Sequence, residues 1–259
     1  MNFFLKFLKI SYVSFFCVIS FSISAEPVRQ FSTMSFGTGF IVYKEGYVVT
    51  AWHVIKNKHQ IYVGPIVGNK WKKAKIIKFD EKRDLVLLKI QAIDRPAVEI
   101  AEWSDVPIGL EVYSIGYPIP KVLGLSKKMT QGLVNGNKTD AGDEGFFQFS
   151  AETQKGNSGG PVFSPDGLVI GVVQRKLDAL KLAERSKDLP ENVNYALKSA
   201  SLIKFLEDAG IKVMIKRLNL LANVRPYEIF RDKNESVLAI FAQGEGEDAP
   251  NLGVSKELD

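Results

Sequence analysis

The six residues Gly156-Asn157-Ser158-Gly159-Gly160-Pro161 constrain this 259-residue chain more than any others. One serine sits among three glycines and is closed off by a proline. Glycine lacks a Cβ, so such a stretch turns tightly and lets another backbone approach closely. In this turn the amides of Gly156 and Ser158 can point to one spot, where a developing oxyanion would sit. Ser158 is therefore a candidate nucleophile. A serine alone attacks nothing: it needs a base, and the base needs an orienting group.

The choice of base is narrow. The sequence holds two histidines, His53 and His59. His53 lies in the apolar run Tyr47-Val48-Val49-Thr50-Ala51-Trp52-His53-Val54-Ile55, which would fix an imidazole. His59 lies in Lys56-Asn57-Lys58-His59-Gln60, which reads as solvated. The best carboxylate is Asp84, at the start of the apolar strand Leu85 to Ile90. An acid there loses water and wants a strong donor such as an imidazole N–H. Gly156-x-Ser158-x-Gly160 also matches the nucleophile elbow of the α/β-hydrolases, but that fold runs serine, acid, histidine. No histidine follows His59. A subtilisin order would put the acid before the histidine, so the order His53, Asp84, Ser158 fits chymotrypsin alone.

Thr50-Ala51-Trp52-His53-Val54, Asp84-Leu85-Val86-Leu87-Leu88-Lys89 and Gly156-Asn157-Ser158-Gly159-Gly160-Pro161 resemble the trypsin-like peptidases of bacteria, closest to the HtrA/DegP group. Fainter echoes are Gly37-Thr38-Gly39-Phe40-Ile41-Val42, Ile115-Gly116-Tyr117-Pro118 and Leu168-Val169-Ile170-Gly171-Val172-Val173. The resemblance covers residues 35 to 208. It implies an all-β chain of two six-stranded antiparallel β-barrels, with a C-terminal helix and a short extra tail. It implies a serine endopeptidase with His53 as base, Asp84 as orienting acid and Ser158 as nucleophile, acting on unfolded or misfolded polypeptides. The amides of Gly156 and Ser158 would form the oxyanion hole. The pocket for the substrate side chain before the cut would have Glu152 at its base, with Val172, Gln174 and Arg175 along its wall. A buried, unpaired Glu152 would favour Arg or Lys in the substrate. Lys155 or Arg175 could instead neutralise Glu152, or it could turn to solvent. Asn157 stands where trypsin-like zymogens use an aspartate to capture a new N-terminal ammonium; being neutral, it forms no such ion pair. Asn135 to Gly145 is a candidate regulatory loop or a plain solvent-exposed one. Homo-oligomers of the group touch through segments like Val28 to Met34, where Phe31 and Met34 could serve; a linker is the other reading.

Bulk properties add boundaries. Net charge is +5, mildly basic, and Lys6 and Lys9 lie in a segment expected to be removed; this identifies no partner. Residues 1–25 read as a secretory signal peptide: the two lysines, the apolar run Ile10 to Phe21, then small residues up to Ala25. The run is shorter than the ~20 residues that span a bilayer, so cleavage and export to the periplasm or medium are expected, without stable membrane insertion. The only cysteine, Cys17, lies in that segment, so an exported form would rely on its core rather than on disulfides. No cofactor or metal is expected, since two histidines six apart and no mature cysteine do not make a zinc centre. Lys70-Trp71-Lys72-Lys73-Ala74-Lys75 mixes cations with an aromatic, as nucleic-acid patches do. It reads instead as a strand edge protected by lysines, so no nucleic-acid partner is expected.

In chain order, strands are expected over Phe36 to Val42, Tyr47 to Thr50, Gln60 to Val63, Trp71 to Phe79 and Leu85 to Ile90. Pro107-Ile108-Gly109 marks the crossover. Further strands are Glu111 to Ile115, Gly132 to Val134, Phe146 to Ala151, Pro161 to Phe163, Leu168 to Gln174 and Val193 to Ala196. Arg175 to Asn192 is a charged insertion of helical character, and Ser199 to Ala209 a helix ended by Gly210. The expected domains are 26–110, 111–211 and an extension 212–259 in which Lys212 to Leu220 and Ser236 to Ala242 could be strands. Every expected catalytic element precedes Gly210, so the extension is expected to be dispensable for bond cleavage but to affect stability or regulation. HtrA enzymes usually carry a PDZ domain here, but this stretch is shorter than the ~50-residue lower bound for ordinary domains. The rival reading is a catalytically silent module of the same fold, used for binding or as a chaperone. It would be marked by damage to the triad or to an oxyanion glycine, and the sequence has none.

Overall fold

A computed structural model describes residues 34–66, 70–119, 125–138, 144–174, 193–222 and 224–244. The signal segment, Phe31, the insertion from Arg175 to Asn192 and the last residues from 245 onward lie outside the described residues.

Short alternating apolar runs broken by turn residues make the chain mostly β. The first sheet is built from β1 (Ser35–Tyr43), β2 (Tyr47–Ala51), β3 (Gln60–Ile66), β4 (Lys70–Lys73), β5 (Lys75–Asp80) and β6 (Leu85–Lys89), with a four-residue helix α1 (Trp52–Ile55) after β2. Gly46, at φ +91°, closes the β1–β2 hairpin with its amide on the Tyr43 carbonyl at 3.1 Å. The second sheet holds β7 (Ile100–Ala101), β8 (Glu111–Gly116), β9 (Lys128–Gly136), β10 (Phe146–Phe149), β11 (Pro161–Phe163), β12 (Val169–Val173), β13 (Asn194–Lys198) and β14 (Ile215–Lys216). Six of these follow one another as β11-β8-β9-β10-β13-β12, and β11 pairs back onto β12 to close a barrel. The all-β double-barrel architecture is as expected.

Helix α2 (Ser199–Glu207) lays Leu202, Phe205 and Leu206 on the apolar cluster shared by the two sheets. Gly210, at φ +74°, stops it, and the Ile211 amide returns to the Leu206 carbonyl at 2.9 Å; glycine is the usual residue for this left-handed exit. The lysine-rich run also reads as expected. Its Trp71 is buried against Phe241 while Lys70 and Lys73 are exposed on the end strand β4.

The tail departs from expectation. Lys212 to Leu220 yields only the two-residue β14, and a helix not anticipated, α3 (Pro226–Lys233), follows. Pro226 opens α3, where its missing N–H costs nothing. Its far end is held by Arg95, whose Nη1 donates to the Glu235 carbonyl at 3.2 Å, and by Lys127, whose Nζ donates to the Asn234 carbonyl. Burial, helped by the nearby Arg95 charge, lowers the Lys127 pKa to about 8.

The chain then enters the first sheet as β15 (Val237–Gln243), lying between β1 and β3 and antiparallel to both. The sheet order is β4-β3-β15-β1-β2-β6-β5, and β4 and β5 are separated by Ala74 alone, so the sheet curves round on itself. All seven residues of β15 are buried. Leu238, Ile240 and Ala242 join the cluster of Ile41, Val48 and Val86, and Val237, Ala239 and Phe241 face the cluster shared with the second sheet. The strand expected at Ser236 to Ala242 is thus present, and it lies inside the first sheet between β1 and β3. The sequence reading placed a strand there but not its neighbours, because pairing partners about 200 residues apart leave no local signal.

Burying Val237, Leu238, Ile240 and Phe241 at roughly 1.5–3 kcal/mol each is comparable with the ~5–15 kcal/mol net stability of a whole domain. A chain ending at Lys212 should lose its cooperative thermal transition. Circular dichroism melts of the truncated and full chains check this, and matching transitions would refute the structural role given to β15.

Candidate active site

Helix α1 is too short to be stable alone and is held by its surroundings. Val54 and Ile55 are buried, and the Trp52 indole stacks on Phe79 of β5 with ring centroids 4.2 Å apart. This fixes His53. Asp84 lies in the turn before β6, at φ +52°, a left-handed conformation that aspartate tolerates better than most residues. Its backbone and both carboxylate oxygens serve α1. The Trp52 amide donates to the Asp84 carbonyl at 3.0 Å, and the His53 amide donates to Oδ1 at 2.7 Å. His53 Nδ1 meets Oδ2 at 2.5 Å. An acceptor-only carboxylate at Nδ1 sets the proton there and leaves Nε2 free to accept one. Gln174, buried at the end of β12, donates from Nε2 toward the Asp84 carbonyl at 3.4 Å.

The loop bearing Ser158 packs against the strands that lead to α1. Gly159, at φ +82°, sits so close to the end of β2 that a Cβ there would lie 2.4 Å from the Ala51 amide nitrogen. A Cβ on Gly37 would lie 2.7 Å from Val54 of α1 and 3.1 Å from the Ser158 carbonyl. The glycines let the segment bearing Ser158 come up against the segment bearing His53. Ser158 is half-buried. Its carbonyl accepts the Thr38 amide at 2.9 Å, and the Gly159 amide donates to Val173 of β12 at 2.8 Å. Gly156, at φ +106°, presents its carbonyl to Thr38 Oγ1 at 2.6 Å. The Asn157 amide between them turns back to Gln154 at 3.0 Å.

The expected specificity residues are less uniform. Glu152 is exposed, and its backbone carbonyl accepts the Thr130 hydroxyl at 2.7 Å. Val172 is buried in β12, Gln174 reaches Asp84, and Arg175 lies outside the described residues. The buried polar pair beside Glu152 is one that the sequence reading did not single out. Thr153 Oγ1 donates to Asn194 Oδ1 at 2.6 Å, and Asn194 Nδ2 donates to the Ala151 carbonyl at 2.9 Å. Thr38 was likewise visible only as the threonine of Gly37-Thr38-Gly39. A hydroxyl between two glycines in an apolar strand was the one available signal.

The chain is similar to known proteins. Residues 37–172 match the family model described as a trypsin-like peptidase domain. An uncharacterized protein of Sinorhizobium fredii is 40% identical over 192 residues, 74% of this chain and 30% of its own. Proteins named probable periplasmic serine endoprotease DegP-like are 36% identical in Hahella chejuensis, over 53% of this chain and 29% of that one, and 41% in Chlamydia muridarum, over 52% and 27%. The chain thus spans less than a third of the length of these relatives. A solved serine endoprotease of Yersinia pestis superposes with a TM-score of 0.55 at 27% identity, covering 68% of this chain and 61% of that one. With its motifs, double barrel and family match in agreement, the chain belongs to the trypsin-like peptidase domain family.

Proposed function

We propose that this chain is an exported serine endopeptidase that cuts unfolded or misfolded polypeptides through an acyl-enzyme. The observation that carries the reading is the grip of Asp84 on His53, through the histidine amide at 2.7 Å and its Nδ1 at 2.5 Å, beside a glycine turn bearing a serine. His53 Nε2 takes the proton from Ser158 Oγ as that oxygen attacks the peptide carbonyl. Asp84 holds the ring and stabilises the imidazolium. The tetrahedral oxyanion sits on the amides of Gly156 and Ser158. His53 then protonates the departing amine, and water releases the acyl group by the same steps in reverse. The names of the DegP-like relatives favour the periplasm as the compartment. Among the described residues no helix is long and apolar enough to cross a membrane.

Incubation with unfolded casein tests the reading. Ser158→Ala and His53→Ala should abolish cleavage while melting like the parent, and Asp84→Asn should lose roughly 10⁴ in turnover by favouring the wrong tautomer. Cleavage by Ser158→Ala equal to the parent's would refute the triad. A folded parent chain that binds casein without cutting it would favour the silent binding module. Mass spectrometry of the exported protein should find an N-terminus near Glu26; a chain starting at Met1 would overturn the export assignment.

Side-chain preference is read from the exposure of Glu152, which is not the buried carboxylate that an acidic pocket would need. An exposed carboxylate beside the buried Thr153–Asn194 pair supports a pocket for small uncharged residues. A peptide library should show cleavage after residues such as Ala or Val, unchanged in Glu152→Ala. Preference for Arg or Lys that vanishes in that variant would restore the acidic pocket.

A further inference from the structure

Gly37-Thr38-Gly39 takes no part in the chemistry above, yet the threonine touches the nucleophile loop twice. We propose that Thr38 positions the oxyanion-binding amides of Gly156 and Ser158; the inference rests on reading this site as that of a serine peptidase. Thr38 has no solvent exposure, so its polar groups need partners within the protein. They have them. Oγ1 donates to the Gly156 carbonyl at 2.6 Å and accepts the Tyr117 amide at 3.1 Å. The amide donates to the Ser158 carbonyl at 2.9 Å, and the carbonyl accepts Thr50 Oγ1 at 2.7 Å. One residue of the first barrel thereby ties the nucleophile loop to Tyr117, just beyond β8, and to the end of β2.

The two bonds to the loop act on the peptide planes that matter. Oγ1 holds the plane that follows Gly156, and the Thr38 amide holds the plane that follows Ser158. The Gly156 and Ser158 N–H groups hang from the α-carbons that these planes anchor. Gly156 needs such an anchor, because a glycine has several accessible orientations and an oxyanion site works only when its donors are preorganised. The space is built for this side chain. A Cβ on Gly116 would lie 2.9 Å from Thr38 Oγ1, and one on Gly160 would lie 3.0 Å from Thr38 Cγ2. Thr38 is a positioning residue: it acts on the reacting atoms through Gly156 and Ser158.

The test compares Thr38→Val, Thr38→Ser and Thr38→Cys with the parent and Ser158→Ala, using a peptide anilide substrate and a peptide boronate, which forms a tetrahedral adduct. Losing an oxyanion donor outright costs about 10²–10³ in kcat, so loosening the Gly156 donor, while the Thr38 amide still holds Ser158, should lower kcat in Thr38→Val about 10- to 100-fold with KM within about threefold. Boronate affinity should fall in parallel, while affinity for a cleaved product peptide holds. Thr38→Ser, which keeps both hydroxyl bonds, should restore kcat to within about threefold of the parent. Thr38→Cys, with a weak thiol donor, should fall between, and it replaces the valine variant if that one does not melt cooperatively. Amide hydrogen exchange over residues 154–160 should quicken in Thr38→Val and not in Thr38→Ser. Unchanged kcat and exchange in Thr38→Val, or a serine variant as impaired as the valine one, would overturn the proposal. Turnover persisting in Ser158→Ala would instead sink the peptidase reading, and the exchange rates would still decide whether Thr38 holds the loop.

Discussion

The hydrogen bonds of Thr38 join the two barrels at the point where chemistry is expected. The Thr38 amide of β1 donates to the Ser158 carbonyl at 2.9 Å, so the strand that frames the first barrel also holds the Ser158 loop of the second. His53 and Asp84 come from the first barrel and Ser158 from the second. A site divided in this way exists only while the seam holds. The seam is tight because Gly37 and Gly159 offer no Cβ where backbone meets backbone, down to 2.4 Å for a Cβ placed on Gly159, and Gly160 leaves room for the Thr38 side chain.

The rigidity of β1 depends in turn on the far end of the chain. β15 pairs with β1 from Ser35–Ala242 to Phe40–Val237, which puts Thr38 opposite Ala239. The strand that holds the Ser158 loop therefore has its outer hydrogen bonds supplied by residues about two hundred positions later. Such non-local pairing forms late, because its loop-closure entropy is spent before its contacts form. During synthesis the first barrel lacks this strand until residues 237–243 have been made. The two barrels are thus not successive folding units, although the six strands β1 to β6 of the first follow one another in sequence.

The histidine side of the site is built by local economy. A four-residue helix, one left-handed aspartate and one carboxylate suffice, since the two carboxylate oxygens of Asp84 hold the backbone and the ring of His53 at once. Gln174 adds a longer contact to the Asp84 carbonyl from β12, so the second barrel also touches the acid. The half-burial of both members of the pair keeps solvent from competing fully for the bond.

The sequence by itself determined the fold class and a short roster of candidate residues. Only two histidines exist, the glycine run around Ser158 is dense, and alternating apolar strands carry their period in the chain itself. These are local properties, legible residue by residue. The tertiary structure decided what depends on distant partners. It put Val237–Gln243 inside the first sheet rather than in an accessory tail, exposed Glu152, buried the Thr153–Asn194 pair beside it, and made Thr38 the contact between barrels. The physical reason is the same in each case. A side chain's periodicity announces which face is buried, but not which remote backbone group will meet it, because hydrogen-bond partners far apart in sequence are selected by packing.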